Sequence, residues 1–240
     1  DSAEYYYNLS IDIDPDNALA YAGLASVSLV RAQNGMTPFY ESALTGIKFL
    51  EKAQELDSAH SEIHFLEASF NTWGTWEFEK AKVEFEKAIS MNPNHALLRV
   101  YYAHLLCYYK NFNEAIVQAE YALRLDPLNN LVKGIYGMTM NNCRRYEQAD
   151  SIFNVVLETE PYNAISLSNL KTTYHMQKKY EEAYELWQID HRNDPEALVA
   201  MDRGYKKGGY LQALENLADL MVERSKSAFI TPWRICTLYT

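Results

Sequence analysis

Pro93, Pro127, Pro161 and Pro195 stand 34 residues apart, each directly after an acidic or amide residue: Asn92, Asp126, Glu160 and Asp194. A proline cannot continue a helix, and it pushes the residue before it out of the helical region, so a helix stops at each of these points. A period of this length means stacked supersecondary units, each burying its apolar face against its neighbours, and excludes one continuous core. Any fold for the chain must therefore place the same backbone event at the same point in four successive units.

The residues between the prolines repeat too. Ala103 and Gly137 share a place in the middle of a first helix, Ala81, Ala115, Ala149, Ala183 and Ala213 share one in a second helix, and Ala53, Ala88 and Ala122 share a third. Three residues before the second-helix alanines stand Phe78, Phe112, Tyr146, Tyr180 and Tyr210. Small side chains at fixed offsets let two helices approach closely where they cross, and the aromatics fill the wedge beside them. The unit reads as helix, tight turn, helix, proline stop. Lys171 replaces the small residue of the first helix, and Val156 and Asp190 replace the late alanine. Looser packing is expected there, most of all in the repeat ending near Asp194.

This pattern resembles the tetratricopeptide repeat over nearly the whole chain, most closely from Ala96 to Pro127 and from Asn130 to Pro161. The resemblance implies an all-α, right-handed superhelical solenoid of antiparallel helix pairs. The expected divisions are an unpaired second helix over 1–17, a lengthened repeat over 18–60, repeats over 61–95, 96–129, 130–163 and 164–197, an atypical repeat over 198–228, and a truncated first helix over 229–240. Repeat 18–60 has 43 residues, nine above the norm, which predicts about one more turn on each helix around an Asn34-Gly35 bend, with Thr37-Pro38 as a capped helix start. Thr231-Pro232 reads the same way. Tyr5, Tyr6 and Leu9 at one end, and Ile235, Leu238 and Tyr239 at the other, are expected to form uncovered apolar faces, as in a piece of a longer protein, and to permit a homodimer. The Trp73-Gly74-Thr75-Trp76 turn is expected to pack on the next turn, with a ligand platform as the other reading.

A narrower resemblance is to the repeat arm of bacterial signalling proteins, where such an array follows a winged-helix DNA-binding domain or an adenylate cyclase. It rests on Thr37-Pro38, the Trp73/Trp76/Phe78 turn, Asp126-Pro127-Leu128, Arg144-Arg145-Tyr146 and the stretch from Asp194 to Tyr210. It implies a regulatory or sensory arm that self-associates or binds a small molecule to control an attached domain. The wider family implies instead a protein-binding scaffold, whose first helices line a concave groove for a peptide or partner helix. Carried onto this chain, the groove positions are Ala22, Ser26 and Leu29; Phe65, Ser69 and Thr72; Val100, His104 and Cys107; Gly134, Met138 and Asn141; and Ser168, Thr172 and His175. They are nearly uncharged, which suits an apolar or neutral partner, and only Asn141 resembles the lysine, asparagine and arginine set that grips carboxylates. His104 and His175 raise the prospect of pH-dependent binding.

Composition closes other routes. A net charge of −10 with scattered basic residues argues against nucleic acid, since phosphate binding needs clustered Lys and Arg. No run of about 18 apolar residues suggests a membrane span. Three cysteines, Cys107, Cys143 and Cys236, read as free thiols in a reducing compartment. The expected location is cytoplasmic, or periplasmic if a span lies outside this sequence. No enzyme, cofactor or metal is expected. The order His60-Ser61-Glu62-Ile63-His64 is not the zinc-protease order, and Gly204 to Gly209 lacks the phosphate-loop order and reads as a helix end with a Gly208-Gly209 turn.

Overall fold

A helix begins most readily where a side chain satisfies the free amides of its first turn. In the computed structural model, which describes residues 2–33, 38–230 and 235–238, every first helix of a pair has such a residue. Asn17 Oδ1 accepts from the Ala20 amide at 3.1 Å, His60 Nδ1 from Glu62 at 3.2 Å and His95 Nδ1 from Leu98 at 3.0 Å. Asn129 accepts from Leu131 at 3.0 Å, Asn163 from Ser166 at 3.0 Å and Asp194 from Ala197 at 3.1 Å. Asn17, His95, Asn129 and Asn163 each fall two residues after a proline, so the stop of one unit and the start of the next are a single motif.

The helices are α1 (Ser2–Ile13), α2 (Ala18–Gln33), α3 (Phe39–Leu56), α4 (Ser61–Trp73), α5 (Phe78–Met91), α6 (Ala96–Tyr108), α7 (Phe112–Leu125), α8 (Asn130–Asn142), α9 (Tyr146–Thr159), α10 (Ala164–Met176), α11 (Tyr180–Asp190) and α12 (Pro195–Ser225). From α2 onward they pair in order, α2 with α3 through α10 with α11, as repeating antiparallel helix pairs of the solenoid kind. The chain forms two compact units, one ending at Asp126 and one beginning at Pro127. In the first, Ala22, Ala25, Leu29, Leu50, Ala53, Ile63, Leu66 and Phe70 make one core of α2, α3 and α4. In the second, Ala183, Ala197, Met201, Ala213, Leu217 and Met221 form a core of α11 and α12.

α2 has 16 residues and α3 has 18, against 13 and 14 in α4 and α5. Pro38 sits just outside α3 with no side-chain cap bond, one place earlier than the expected first helical position. Asn34, Gly35 and Thr37, like Thr231, Pro232, Trp233 and Tyr239, lie outside the described residues.

α12 is two helices broken at Gly208 (φ −153°) and Gly209 (φ 76°). Arg224 near its end binds Asp194 and Glu196 at its start, with Nη2 at 2.9 Å and 2.6 Å, which closes the pair. The other turns also contain a residue of positive φ, but not a glycine. Trp76, Lys110, Arg144 and Lys178, 34 residues apart, have φ of 58°, 57°, 59° and 60°. The residue after each of the last three donates its amide to a carbonyl five residues back, Asn111 to Leu106 at 3.0 Å, Arg145 to Met140 at 2.8 Å and Lys179 to Tyr174 at 2.9 Å. These bonds close the helix end and fix the turn.

One position on the second helix recurs at 34-residue intervals, held by Phe85, Ala119, Phe153 and Trp187. Opposite Phe153 stands Gly137, where a Cβ would lie 2.4 Å from the ring. Opposite Trp187 stands Lys171, whose ammonium lies 3.7 Å from the ring centroid and 2.6 Å from Asp190 Oδ2. Lys171 is only 6% exposed. The residues that break the pattern, Lys171 and Asp190, form an ion pair with each other, yet a cavity of about 80 Å³ remains among Lys171, Trp187, Asp190 and His191, in keeping with the looser packing expected at this joint. α11 is shortened to 11 residues, and buried His191 follows it, its ring stacked 5.8 Å from Trp187.

At the ends, α1 lays Tyr7 on Gly23, where a Cβ would meet the ring at 2.3 Å, and Glu4 pairs with Arg31 at 2.6 Å. Tyr5, Tyr6 and Ile13 stay exposed. The other end departs from expectation. Leu238 is buried and Ile235 half-buried against the α11–α12 core, so these two do not form an uncovered face. Trp76 also departs from expectation, being 74% exposed and not packed on the next turn. None of the described helices is long and apolar enough to cross a membrane.

Two outcomes are expected from denaturant unfolding. Lys110→Gly, Arg144→Gly and Lys178→Gly should each add about 0.5–1 kcal/mol, because an L-residue in the left-handed region costs about 1–2 kcal/mol and glycine returns part of that as chain entropy. Asp190→Ala, although it restores the repeat's usual alanine, should cost about 2 kcal/mol by leaving a buried ammonium without its carboxylate, and Lys171→Met in the same chain should recover most of it.

Candidate partner-binding surface

The positions expected to face a partner behave differently in the two compact units. In the first, Phe65, Ser69 and Thr72 on α4 and Val100, His104 and Cys107 on α6 are all buried. Their hydroxyl and thiol groups are satisfied within their own helices: the Ser69 hydroxyl donates to the Phe65 carbonyl at 2.8 Å, Thr72 to Ala68 at 2.8 Å and the Cys107 thiol to Ala103 at 3.5 Å. Aromatic rings close this face. Trp73 stacks on His104 with centroids 5.9 Å apart, and Tyr101 meets both Trp73 and Phe65 edge-on at 5.1 Å and 5.4 Å. These six residues hold α4 to α6 and present little to a partner. Ala22 and Leu29 on α2 are buried as well, and Ser26 is half-buried.

The second unit leaves its first-helix face more open. Gly134 is buried, and a Cβ there would lie 3.0 Å from the Ile165 side chain, so the residue sets the approach of α8 to α10. Half-buried Asn141 joins the same two helices, donating to the Asn169 carbonyl at 3.2 Å and accepting from the Thr173 hydroxyl at 2.9 Å. His175 Nδ1 lies 3.3 Å from the Tyr210 hydroxyl, and its ring meets Tyr180 edge-on. Met138 is half-buried, and Ser168 and Thr172 are exposed.

Sequence reasoning missed Met176 and Leu131, both exposed. Met176 continues the α10 stripe of Ser168 and Thr172 at four-residue steps, and Leu131 stands seven residues before Met138 on α8. The helical spacing that marked the others would have marked these too. None of these open residues is charged.

The six histidines have structural partners. His60 and His95 cap helices, His64 Nδ1 lies 2.6 Å from Glu84, and His191 Nδ1 lies 3.1 Å from the Trp187 carbonyl. Burial pushes the His104 imidazole down from the usual 6.5 to about 4. It stays neutral across the physiological range and cannot serve there as a pH sensor for binding.

No protein-family model and no curated protein matches this sequence. Solved structures do match the fold. A tetratricopeptide repeat protein from Parabacteroides merdae has a TM-score of 0.62 at 20% identity, with 99% of this chain and 90% of that one covered. Pseudomonas aeruginosa PilF gives 0.58 at 18%, covering 88% and 93%. Human IFIT1, solved as a dimer with m7Gppp-AAAA, gives 0.74 at 15%, covering 97% of this chain and 56% of that one. The fold is that of a tetratricopeptide-repeat array.

The buried His104 predicts a pH dependence of stability. The unfolded chain takes up this proton near pH 6.5 and the folded one only near pH 4. Stability from this group is thus complete above about pH 6.5 and falls as pH drops towards 4, by on the order of 3 kcal/mol. Melting temperature measured across this range should drop in the parent chain and drop less in His104→Phe.

Proposed function

We propose that this chain is a non-catalytic scaffold whose α8–α10 face binds an apolar helix or an uncharged extended segment of a partner protein. The observation that carries this reading is the stripe of Ser168, Thr172 and Met176 on α10, exposed beside Met138 and Leu131 on α8. Its supporting framework is rigid: Asn141 is tied to α10, and Gly134 packs against Ile165. A partner would gain chiefly from apolar burial, at roughly 25 cal/mol per Å². The capped RNA named with IFIT1 is not the ligand favoured here, because a chain of net charge −10 does not attract phosphate. Cys107, Cys143 and Cys236 are joined in no disulfide among the described residues, and a reducing, cytoplasmic setting belongs to this reading.

The test is selection of peptides from a displayed library against the whole chain, followed by anisotropy titration of the winners. Neutral peptides with apolar anchors are expected, with a Kd that changes less than about twofold between low and physiological salt. Met138→Glu and Thr172→Glu should each weaken binding at least about tenfold, while Val117→Glu on α7 leaves it unchanged. Acidic, strongly salt-dependent ligands, or binding that survives both changes, would overturn the reading.

A further inference from the structure

His64 and Glu67 stand one turn apart on α4, and Glu84 faces them from α5 of the same helix pair. One ligand-capable atom from each lies within 4.8 Å of the others. His64 Nδ1 is 2.6 Å from Glu84 Oε2, and Glu84 is buried, with only 8% of its surface exposed. The other Glu84 oxygen accepts from Lys87 Nζ at 2.5 Å, and Glu67 accepts from Gln54 at 2.7 Å. Burial, and then the charge of Glu84, push the Glu67 carboxyl above its ordinary value. Two carboxylates thus face each other with a single imidazole between two rigid helices. Glu67 and Glu84 also line an open cleft of about 310 Å³, with Glu79, Lys80 and Val83, through which a hydrated ion can reach them.

We propose that His64, Glu67 and Glu84 form a binding site for a divalent transition-metal cation of the zinc class. A neutral imidazole and two carboxylates supply a charge of −2, matched to the cation. One nitrogen and two oxygen donors suit zinc, cobalt or manganese, whereas magnesium and calcium take oxygen alone. Bonds of about 2 Å in tetrahedral geometry place donor atoms about 3.3 Å apart. That value lies between the 2.6 Å His64–Glu84 contact and the 4.8 Å outer limit of the cluster, so rotation of the carboxylates is enough to close it. The cleft side leaves a fourth position for water. Lys87, whose side chain is 50% exposed, gives up its contact with Glu84 by swinging into solvent. The bound ion replaces the hydrogen bond that now joins α4 to α5 and relieves the repulsion between the two carboxylates.

The experiment is calorimetric titration of the whole chain with zinc chloride near neutral pH, beside a thermal-shift series. Both use Cys143→Ser/Cys236→Ser protein, so that the accessible thiols do not take the metal. One equivalent of zinc should bind and raise the melting temperature, and magnesium should do neither. His64→Gln and Glu84→Gln should each weaken zinc at least about tenfold, and Lys87→Met should tighten it. Absence of binding, or zinc affinity unchanged in His64→Gln, overturns the proposal. If either variant fails to fold, cobalt added to the double-serine protein decides: a visible ligand-field band of protein-bound cobalt supports the site, and the spectrum of the free aqueous ion refutes it.

Discussion

How closely two helices of a pair can cross is the constraint on which the rest of this molecule depends. The separation is set by two side chains together, one on each helix. Gly137 leaves the room that Phe153 fills, and Ala103 stands where the position opposite holds only Ala119. At Lys171 and Trp187 the same place is filled by a large pair, and the long aliphatic stem and charged head are accommodated by an aromatic face and by Asp190. Dense packing tolerates such exchanges when the total volume and the polar pairing are kept. The array holds its geometry through compensation, and the strictly repeated elements are the turns and caps around each crossing.

Those repeated elements were unequally legible in the sequence. The prolines announced the helix stops, because proline acts on the backbone whatever surrounds it. The alanines announced the crossings, because small side chains there let two helices approach closely. By contrast, nothing in the identities of Trp76, Lys110, Arg144 and Lys178 marks a left-handed residue; only their common spacing does, and it is visible once the turn has been located. His60 and His95 were likewise unreadable as caps by residue type, although their places are those held by Asn129 and Asn163 in other repeats.

The candidate surface was the least legible part. Position in a repeat says which way a residue points, but not what its neighbours lay over it. Phe65 and Ser69 hold the places that Ser168 and Thr172 hold in their own repeat, yet the first pair is buried in a face closed by Trp73 and Tyr101, and the second pair is open. The difference lies in aromatic side chains between the repeat-defining positions, which a period-based reading passes over. His64 and Glu84 show the same limit from another side: they are 20 residues apart, on different helices, and only the antiparallel pairing brings them together.

The pairing of Lys171 with Asp190 also bears on how an array of this kind can grow or shrink. A genetic exchange that joins repeats at their prolines carries both partners across together and leaves every crossing intact. A crossover anywhere between the two positions would separate them, stranding an ammonium in one product and a carboxylate in the other. In this part of the chain, residues 171–190 are therefore a stretch that has to be inherited whole.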